Sequence, residues 1–292
     1  MAEDQIGETP AAPEREATPI FRPAEPHEDD MLSRILCNAF LPLWNHNWFH
    51  GVSRPLEPVM IGTPTSKPHM NSLQKSRVRF YRSLISMTRL LDGLVLVAEV
   101  NPPAVESDAN NATTTKQPDI GAVLLWLPPK KRMGTFDLLK LWRSGFLGLM
   151  LPWHYGLTGF YRIQLVFEEN IHKMWTRTLP DLPPHGFKED ECGFVQMIAS
   201  NPKYAGKRYA SALLNYKIEQ HFAEFPDRPV ILDTTTTQGI RAYEKLGFKL
   251  LAEVPVDSGT DAQGMKLKSN ASGEIKTEAR ETCIQRVMAR LP

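Results

Sequence analysis

The apolar positions of residues 193–254 switch repeatedly between two spacings. Apolar residues that alternate or run together predict strands, whereas apolar residues three and four positions apart predict helices. The predicted elements are a strand at 193–200, a helix at 208–222, a strand at 230–234, a helix at 238–246 that Gly247 ends, and a strand at 248–254. Strands and helices in alternation favour a partly parallel sheet that helices cover.

The chain before residue 130 adds two helices and an antiparallel hairpin to this sheet. Order is expected to begin near Ile20, with a short strand that ends at Pro23 and an amphipathic helix that opens at His27 to Asp30. Further elements are predicted as a helix at 73–91, strands at 94–100 and 120–127 around a flexible polar loop at 101–118, and a weaker strand at 282–289 after a long polar loop. The predicted fold class is therefore α/β (α+β), a mixed β-sheet flanked by helices.

Residues 1–18 have too little apolar content to fold, which predicts a disordered tail before a single domain at 19–292. Within that domain, residues at about 128–180 form an apolar insertion that is expected to be helical. A membrane-spanning helix needs about 20 apolar residues in a row. Charged, glycine, proline and histidine residues interrupt this segment at Lys140, Arg143, Gly145, Gly148, Pro152 and His154. Buried helices or a lid are expected instead, and membrane association is not.

Composition and charge exclude several classes of protein. The chain has 34 Lys and Arg against 33 Asp and Glu, a formal net charge of +1, so nothing supports nucleic-acid binding by a basic surface. Cys37, Cys192 and Cys283 are far apart and form no CxxC pair, so neither a disulfide framework nor a metal site is predicted. The acidic N-terminus lacks the apolar run of a signal peptide. A reducing, cytoplasmic location is expected.

The turn between the strand at 193–200 and the next helix carries candidate chemistry. It contains Gly206, and Lys207 and Arg208 stand at the start of the helix. The first turn of a helix offers free N–H groups at the positive end of the helix dipole, and together these bind phosphate. The carboxyl end of a strand is also the usual ligand position in an open α/β sheet. Taken alone, the pattern fits an ordinary helix start equally well.

A second pattern places Tyr243 four residues before the pair Gly247 and Phe248, on a short helix that leads into a strand. The two patterns together resemble the signature regions of the GNAT N-acetyltransferase superfamily, in a fungal-type member with an enlarged middle region. The start of the chain, from Ile20 onward, is similar to the family's first strand and first helix. The resemblance extends to about Ala289.

The family's cofactor loop falls on residues 205–210 of this chain. Ala205 stands where the family has a polar residue, and Arg208 stands in place of a glycine, whereas Ala210 fits the pattern. Gly239 occupies a position where many members carry asparagine. The residues that the resemblance places against the cofactor are Met197, Ile198, Ala199, Ala205, Gly206, Lys207, Arg208, Tyr209, Ala210 and Gly239.

The resemblance implies an enzyme that transfers an acetyl group from acetyl-CoA to an amine of a small molecule or peptide. It also implies that the strands at 193–200 and 230–234 splay apart to admit the pantetheine arm. Tyr243 would donate a hydrogen bond to the thiolate leaving group. Glu191, just before the central strand, would relay a proton from the amine through water.

Several alternatives stay open at this point. A catalytically silent acyl-CoA-binding or regulatory protein would have the same fold. Other candidates for the base are His154, His172 and His185. The aromatic and histidine residues at 44–50, with Trp142, Trp153, His154 and Tyr155, either line an acceptor pocket or pack in the core. The sequence determines neither the acceptor nor the oligomeric state.

Overall fold

A mixed sheet of seven strands forms the centre of the protein. The computed structural model describes residues 18–61, 69–100, 119–132, 138–150, 155–267 and 272–292. The strands are β1 (Ile20–Pro23), β2 (Leu94–Val100), β3 (Asp119–Leu127), β4 (Gly193–Ser200), β5 (Val230–Thr234), β6 (Lys249–Pro255) and β7 (Ile284–Arg290). Their order across the sheet is β1-β2-β3-β4-β5-β7-β6. β4 and β5 are parallel, and the other described neighbours are antiparallel.

Helices cover both faces of this sheet. They are α1 (Asp29–Ala39), α2 (Trp44–Phe49), α3 (Ser72–Leu90), α4 (Leu138–Arg143), α5 (Leu147–Met150), α6 (Gly156–Phe160), a π-helix (Tyr161–Phe167), α7 (Glu168–Thr178), α8 (Tyr209–Glu224), α9 (Thr237–Glu244) and α10 (Gly273–Thr282). Buried residues of α1, α3 and α7 pack in one core, and those of α8 pack in a second core with part of α9 beside them.

β3 shows why the central strands are apolar on both sides. Its residues alternate between the two faces, so Val123 and Leu125 enter the core under α1 and α3, while Leu124 and Trp126 enter the core under α8. All four side chains are fully buried. A strand that is covered on both faces therefore appears in the sequence as a continuous apolar run.

The predicted fold class is confirmed, and the predicted strands and helices appear near their expected positions. The weak strand prediction at the C-terminus corresponds to β7, which lies inside the sheet between β5 and β6. α10 was expected to be loop. The Ser272 side chain caps it by accepting a hydrogen bond from the amide of Ile275 at 3.5 Å, and its polar sequence has too little apolar periodicity to predict a helix.

The apolar insertion consists of short helices in the part that the structure describes, from α4 through the π-helix. No helix among the described residues is long and apolar enough to cross a membrane. The predicted disordered tail, apart from its last residue, and the loop at 101–118 lie outside the described residues, as do Trp153 and His154.

Candidate active site

The sheet opens between β4 and β5. The two strands pair only from Gly193 to Val195 on β4 and from Val230 to Leu232 on β5, whereas β4 stays paired with β3 as far as Ser200. The register of β4 against β3 slips at Gln196, the position where β4 leaves β5. Such a bulge bends its strand. The predicted splaying is therefore present, and the β4 edge beyond Val195 faces a gap in place of a strand.

A cavity of about 1510 Å³ opens at this gap. Ligand pockets for drug-sized molecules have volumes of roughly 300–1,000 Å³, so this cavity has room for a larger ligand or for two. The predicted site residues that line it are Met197, Ile198, Ala199, Ala205, Gly206, Ala210, Gly239 and Tyr243. Lys207, Arg208, Tyr209 and Glu191 are not among the described residues that line it.

The loop after β4 is held against the sheet by short polar contacts. The Asn201 side chain donates to the carbonyl of Ile120 at 2.8 Å and accepts from the amide of Lys203 at 3.1 Å. Gly206 has a φ of +83°, and apart from its chain neighbours no atom of the described residues lies within 4 Å of the point where a Cβ would stand. This side of the loop is therefore open to a ligand.

The backbone conformation of Arg208 accounts for the glycine that the resemblance expects at this position. Arg208 precedes α8 in the left-handed conformation, with φ 59° and ψ 18°. That conformation costs a residue with a side chain about 1–2 kcal/mol, and glycine adopts it freely. Arg208 thus keeps the geometry of the loop at an energetic cost and adds a positive charge at the helix N-terminus.

Tyr209 supports the loop by packing. A Cβ on Gly121 of β3 would lie 2.6 Å from the Tyr209 ring, so the ring rests directly on the sheet backbone. The ring also contacts Tyr204 at 5.9 Å between centroids. Only the backbone amide of Tyr209, in the first turn of α8, remains suited to a phosphate.

Tyr243 reaches the cavity from α9. Thr236 caps this helix by accepting from the amide of Gly239 at 2.9 Å, and the Tyr243 ring packs against Phe248 at 5.8 Å. Burial and, secondly, the charge of Asp233 raise the pKa of Tyr243. The hydroxyl therefore keeps its proton and is able to donate a hydrogen bond.

Two acids that sequence reasoning missed also line the cavity, Asp233 at the end of β5 and Glu168 at the start of α7. Burial raises the pKa of Asp233 to about 6, with the charge of Glu189 as a further cause. Glu168 is exposed to solvent by its accessible surface. Because it lies in a concave site, desolvation, and after it the charge of Asp233, still raises its pKa to about 8. No local motif marks either residue in the sequence.

Arg132 brings a positive charge to the same cavity. Its guanidinium stacks 4.0 Å from the ring centroid of Phe194 and donates to the carbonyl of Glu189 at 3.4 Å. Its Nε and Nη1 atoms are buried and have no hydrogen-bond partner among the described residues. Burial lowers the pKa of Arg132 to about 10.

The structure places Glu191 apart from these groups. Its carboxylate accepts from the amide of Lys188 at 2.9 Å and pairs with Arg228 at 2.9 Å. The backbone hydrogen bond and then Arg228 lower its pKa. A carboxylate that is paired and more acidic than usual is a poor proton acceptor. The relay role of Glu191 stays a prediction that this geometry does not favour.

The alternative bases are no better placed. The His172 ring lies 3.0 Å from the carboxylate of Glu189 on the exposed side of α7, although His172 also lines part of the cavity. His185 is exposed and packs on Phe187 at 4.8 Å.

The aromatic segment after α1 serves mainly as core. Trp44, Trp48 and Tyr155 are buried, and Trp142 is 68% exposed. Residues that do line the cavity form an aromatic wall, namely Phe40, His46, Phe49, Phe80, Phe146 and Phe167. Nδ1 of His46 lies 2.9 Å from the Tyr81 hydroxyl, and burial keeps the pKa of His46 well below its ordinary value. The wall is therefore uncharged.

Comparison with known proteins gives matches among solved structures only, since no family model and no curated protein matches the chain. Mosquito arylalkylamine N-acetyltransferase like 5b is 14% identical, with a TM-score of 0.49 over 94% of this chain and 100% of that one. Arylalkylamine N-acetyltransferase 2 from Aedes aegypti is 16% identical, with a TM-score of 0.46 over 94% and 98%.

A Corynebacterium glutamicum protein described as histone acetyltransferase HPA2 and related acetyltransferase is 14% identical, with a TM-score of 0.47 over 94% and 97%. All three are described as acetyltransferases. Their TM-scores are below 0.5, so these likenesses carry no functional conclusion for this chain.

Proposed function

We propose that this protein is an acyl-CoA-dependent N-acyltransferase of the GNAT superfamily, which transfers an acetyl group from acetyl-CoA to an amine by direct attack. The observation that carries the proposal is the gap between β4 and β5, which runs from the first turn of α8 to Tyr243 along one continuous cavity. An elongated cofactor with a phosphate group at one end and a reactive thioester at the other fits this arrangement.

In this proposal the first turn of α8 holds the pyrophosphate and the open edge of β4 holds the pantetheine arm. The free amides at Tyr209 and Ala210 bind phosphate oxygens without help from particular side chains. Beyond the last β5-paired residue, the backbone groups that point away from β3 are those of Ile198 and Ser200, because Asn201 donates to the carbonyl of Gly121 and hydrogen-bonded pairs alternate along an antiparallel ladder. These groups face the amides of the arm, and the predicted partners Met197 and Ala199 bond to β3 instead. Acetyl-CoA, when bound, supplies an activated acyl group.

Catalysis then depends on placement and on the fate of protons. When the protein holds the amine and the thioester in line, the reaction no longer needs a bimolecular encounter. This lowers the activation free energy by about 7 kcal/mol or more for well-aligned partners. Tyr243 donates a hydrogen bond to the departing sulfur. Its raised pKa, against about 8.5 for a thiol, makes full proton transfer to the sulfur uphill, so we assign it a hydrogen-bonding role.

Calorimetric titration of acetyl-CoA tests the cofactor site. Wild-type protein should bind in a saturable way, and Arg208→Glu should bind about tenfold more weakly, because two units of charge change beside the pyrophosphate. Arg208→Gly is the matched variant. It removes the charge and also the left-handed strain, so binding should fall less and the unfolding free energy should rise by about 1 kcal/mol.

Equal affinity in all three proteins would place the pyrophosphate elsewhere. Saturable binding without acetyl transfer to any amine would instead support the catalytically silent acyl-CoA-binding protein. If no acyl-CoA binds, the enzyme proposal fails.

A further inference from the structure

Glu168 and Asp233 are brought to one cavity from distant parts of the chain. Asp233 directly follows Leu232, the last β5 residue that pairs with β4, so it stands where the two strands part. Glu168 begins α7 directly after the π-helix. We propose that these two carboxyl groups form one proton-accepting unit, which takes the proton from the acceptor amine. This inference rests on the proposed transferase function.

The charge around the two acids is mainly negative, although the charge of Arg132 lowers the pKa of each. Within the part of the chain that the structure describes, neither forms an ion pair. The charged groups that face them are Glu189, which adds to the negative charge, and Arg132, which donates a hydrogen bond to the backbone carbonyl of Glu189 at 3.4 Å. Such a site attracts an ammonium group and stabilises it next to a base.

The other elements that pack against α7 bring no further charge to Glu168. β7 meets α7 through the uncharged, fully buried Gln285, whose amide donates to the carbonyl of Phe167 at 3.1 Å. The next residue, Arg286, pairs with Glu253 at 3.0 Å. The phenol groups of Tyr155 and Tyr243 stay protonated because burial raises the pKa of each.

The π-helix sets the helical register in which Glu168 begins α7. Short π-helical segments shift the register of a helix and occur frequently at functional sites. Here the segment ends at Phe167, and Gln285 satisfies the Phe167 carbonyl while it accepts a hydrogen bond from Asn170 at 3.1 Å. Glu168 lies between these two anchored residues, so its position in the cavity is held from both sides.

The chemistry needs such a base. A primary amine has a pKa near 10.4, so it reaches the site mainly as an ammonium ion, which must lose a proton before it attacks. Glu168 accepts this proton, and the nitrogen lone pair then forms the new C–N bond at the thioester carbonyl. As the C–S bond breaks, its electron pair goes to sulfur, and Tyr243 donates a hydrogen bond to the departing sulfur. The attacking nitrogen then carries one proton too many, and this second proton passes from nitrogen to sulfur to give the free thiol of CoA. Glu168 finally releases its proton to solvent.

The pH dependence of kcat/KM, measured with acetyl-CoA and 2-phenylethylamine, tests the proton role. In the wild type kcat/KM should rise with pH to an inflection at about 8, where Glu168 loses its proton in the free protein. Glu168→Gln should lower kcat/KM by about 100-fold or more, the range for general base catalysis, and should abolish this inflection. Glu168→Asp should restore part of the rate.

Asp233→Asn gives a shift that a purely structural role would not produce. Because the charge of Asp233 helps to raise the pKa of Glu168, its removal should move the inflection to lower pH. Glu219→Gln is the control, since Glu219 lies on α8, is exposed and contacts Asn215; its profile should match the wild type. An inflection that is unchanged in Glu168→Gln would overturn the proposal.

Unfolding measured between pH 5 and 8 tests the pair without any substrate. The folded-state pKa of Glu168, about 8, lies above the unfolded value of about 4.3, so the folded protein holds this proton more tightly. The stability that Glu168 contributes is therefore present below pH 4.3 and is lost as the pH rises towards 8. Glu168→Gln should become progressively more stable than the wild type over this range.

The outcomes separate the two proposals. If the stability difference between Glu168→Gln and wild type does not change with pH, the two acids are ordinary carboxylates and the inference fails, whatever the protein catalyses. If the difference appears but acetyl-CoA does not bind, the transferase proposal fails and the proton role fails with it. Acetyl-CoA binding and a shifted kcat/KM profile support both.

Discussion

Replacing Tyr243 by phenylalanine is expected to lower kcat for acetyl transfer by about 10- to 100-fold, with little change in the affinity for acetyl-CoA. The substitution removes one hydroxyl and keeps the ring that packs on Phe248. A hydrogen bond to a charged group contributes about 1.5–3 kcal/mol, and the sulfur is charged only as it leaves. The loss therefore falls on the transition state, which is the condition for an effect on kcat.

The measurement is the initial rate of CoA release with saturating acetyl-CoA, together with calorimetric titration of the cofactor. Tyr216→Phe is the matched control, because Tyr216 lies on α8 and its ring contacts Phe21 at 5.0 Å. It should keep full activity. Wild-type kcat in Tyr243→Phe would show that Tyr243 only packs between helix and sheet, and the sulfur would need another donor.

Replacing Gly264 by alanine is expected to destabilise the protein by about 3 kcal/mol or more, since overpacking against backbone adds to left-handed strain. Gly264 has a φ of +74°, and a Cβ there would overlap the carbonyl group of Trp44 at the start of α2. This loop also binds α2 through the Asn47 side chain, which donates to the carbonyl of Gln263 at 3.0 Å. The clash is with backbone, so no side-chain rotation relieves it.

Gly259→Ala separates the two causes. Gly259 has a similar φ of +63°, but among the residues that the structure describes, chain neighbours aside, no atom lies within 4 Å of the point where its Cβ would stand. Only the backbone strain of about 1 kcal/mol is therefore expected. Chemical denaturation of both variants measures the difference. Equal losses would mean that the loop does not rest on α2. α2 contributes His46 and Phe49 to the aromatic wall of the cavity. Equal losses would therefore also mean that the loop with Gly264 does not support that wall.

Much of the site could be predicted because its parts are local. The strand, the loop with Gly206 and the start of α8 follow each other directly, and Tyr243 lies in a helix that its own neighbours cap. The resemblance expects a glycine where this chain has Arg208. That expectation also has a local cause, since the residue at this position has a left-handed φ. The positions of Ala199 and Ala210 on the cavity follow from the same short segments.

The proton chemistry could not be predicted in this way. Glu191 is predicted as a proton relay because it precedes the central strand. In the folded chain the backbone amide of Lys188, and after it Arg228, binds its carboxylate and lowers its pKa. No local motif marks Glu168, and the π-helix before it leaves no clear signal in the apolar pattern. α10 was missed for a similar reason, because a polar helix depends on its cap and its neighbours.

The sequence by itself determined the elements, their alternation, the loop with Gly206 before α8 and the position of Tyr243, because each depends on residues within one or two turns of the chain. Only the tertiary structure decided how far β4 and β5 separate and which acids line the cavity. It also placed Glu191 away from the residues that line the cavity and paired its carboxylate with Arg228. Those properties depend on burial and on the charge of residues remote in sequence. A pKa responds to what surrounds a group in space, and folding alone sets those surroundings.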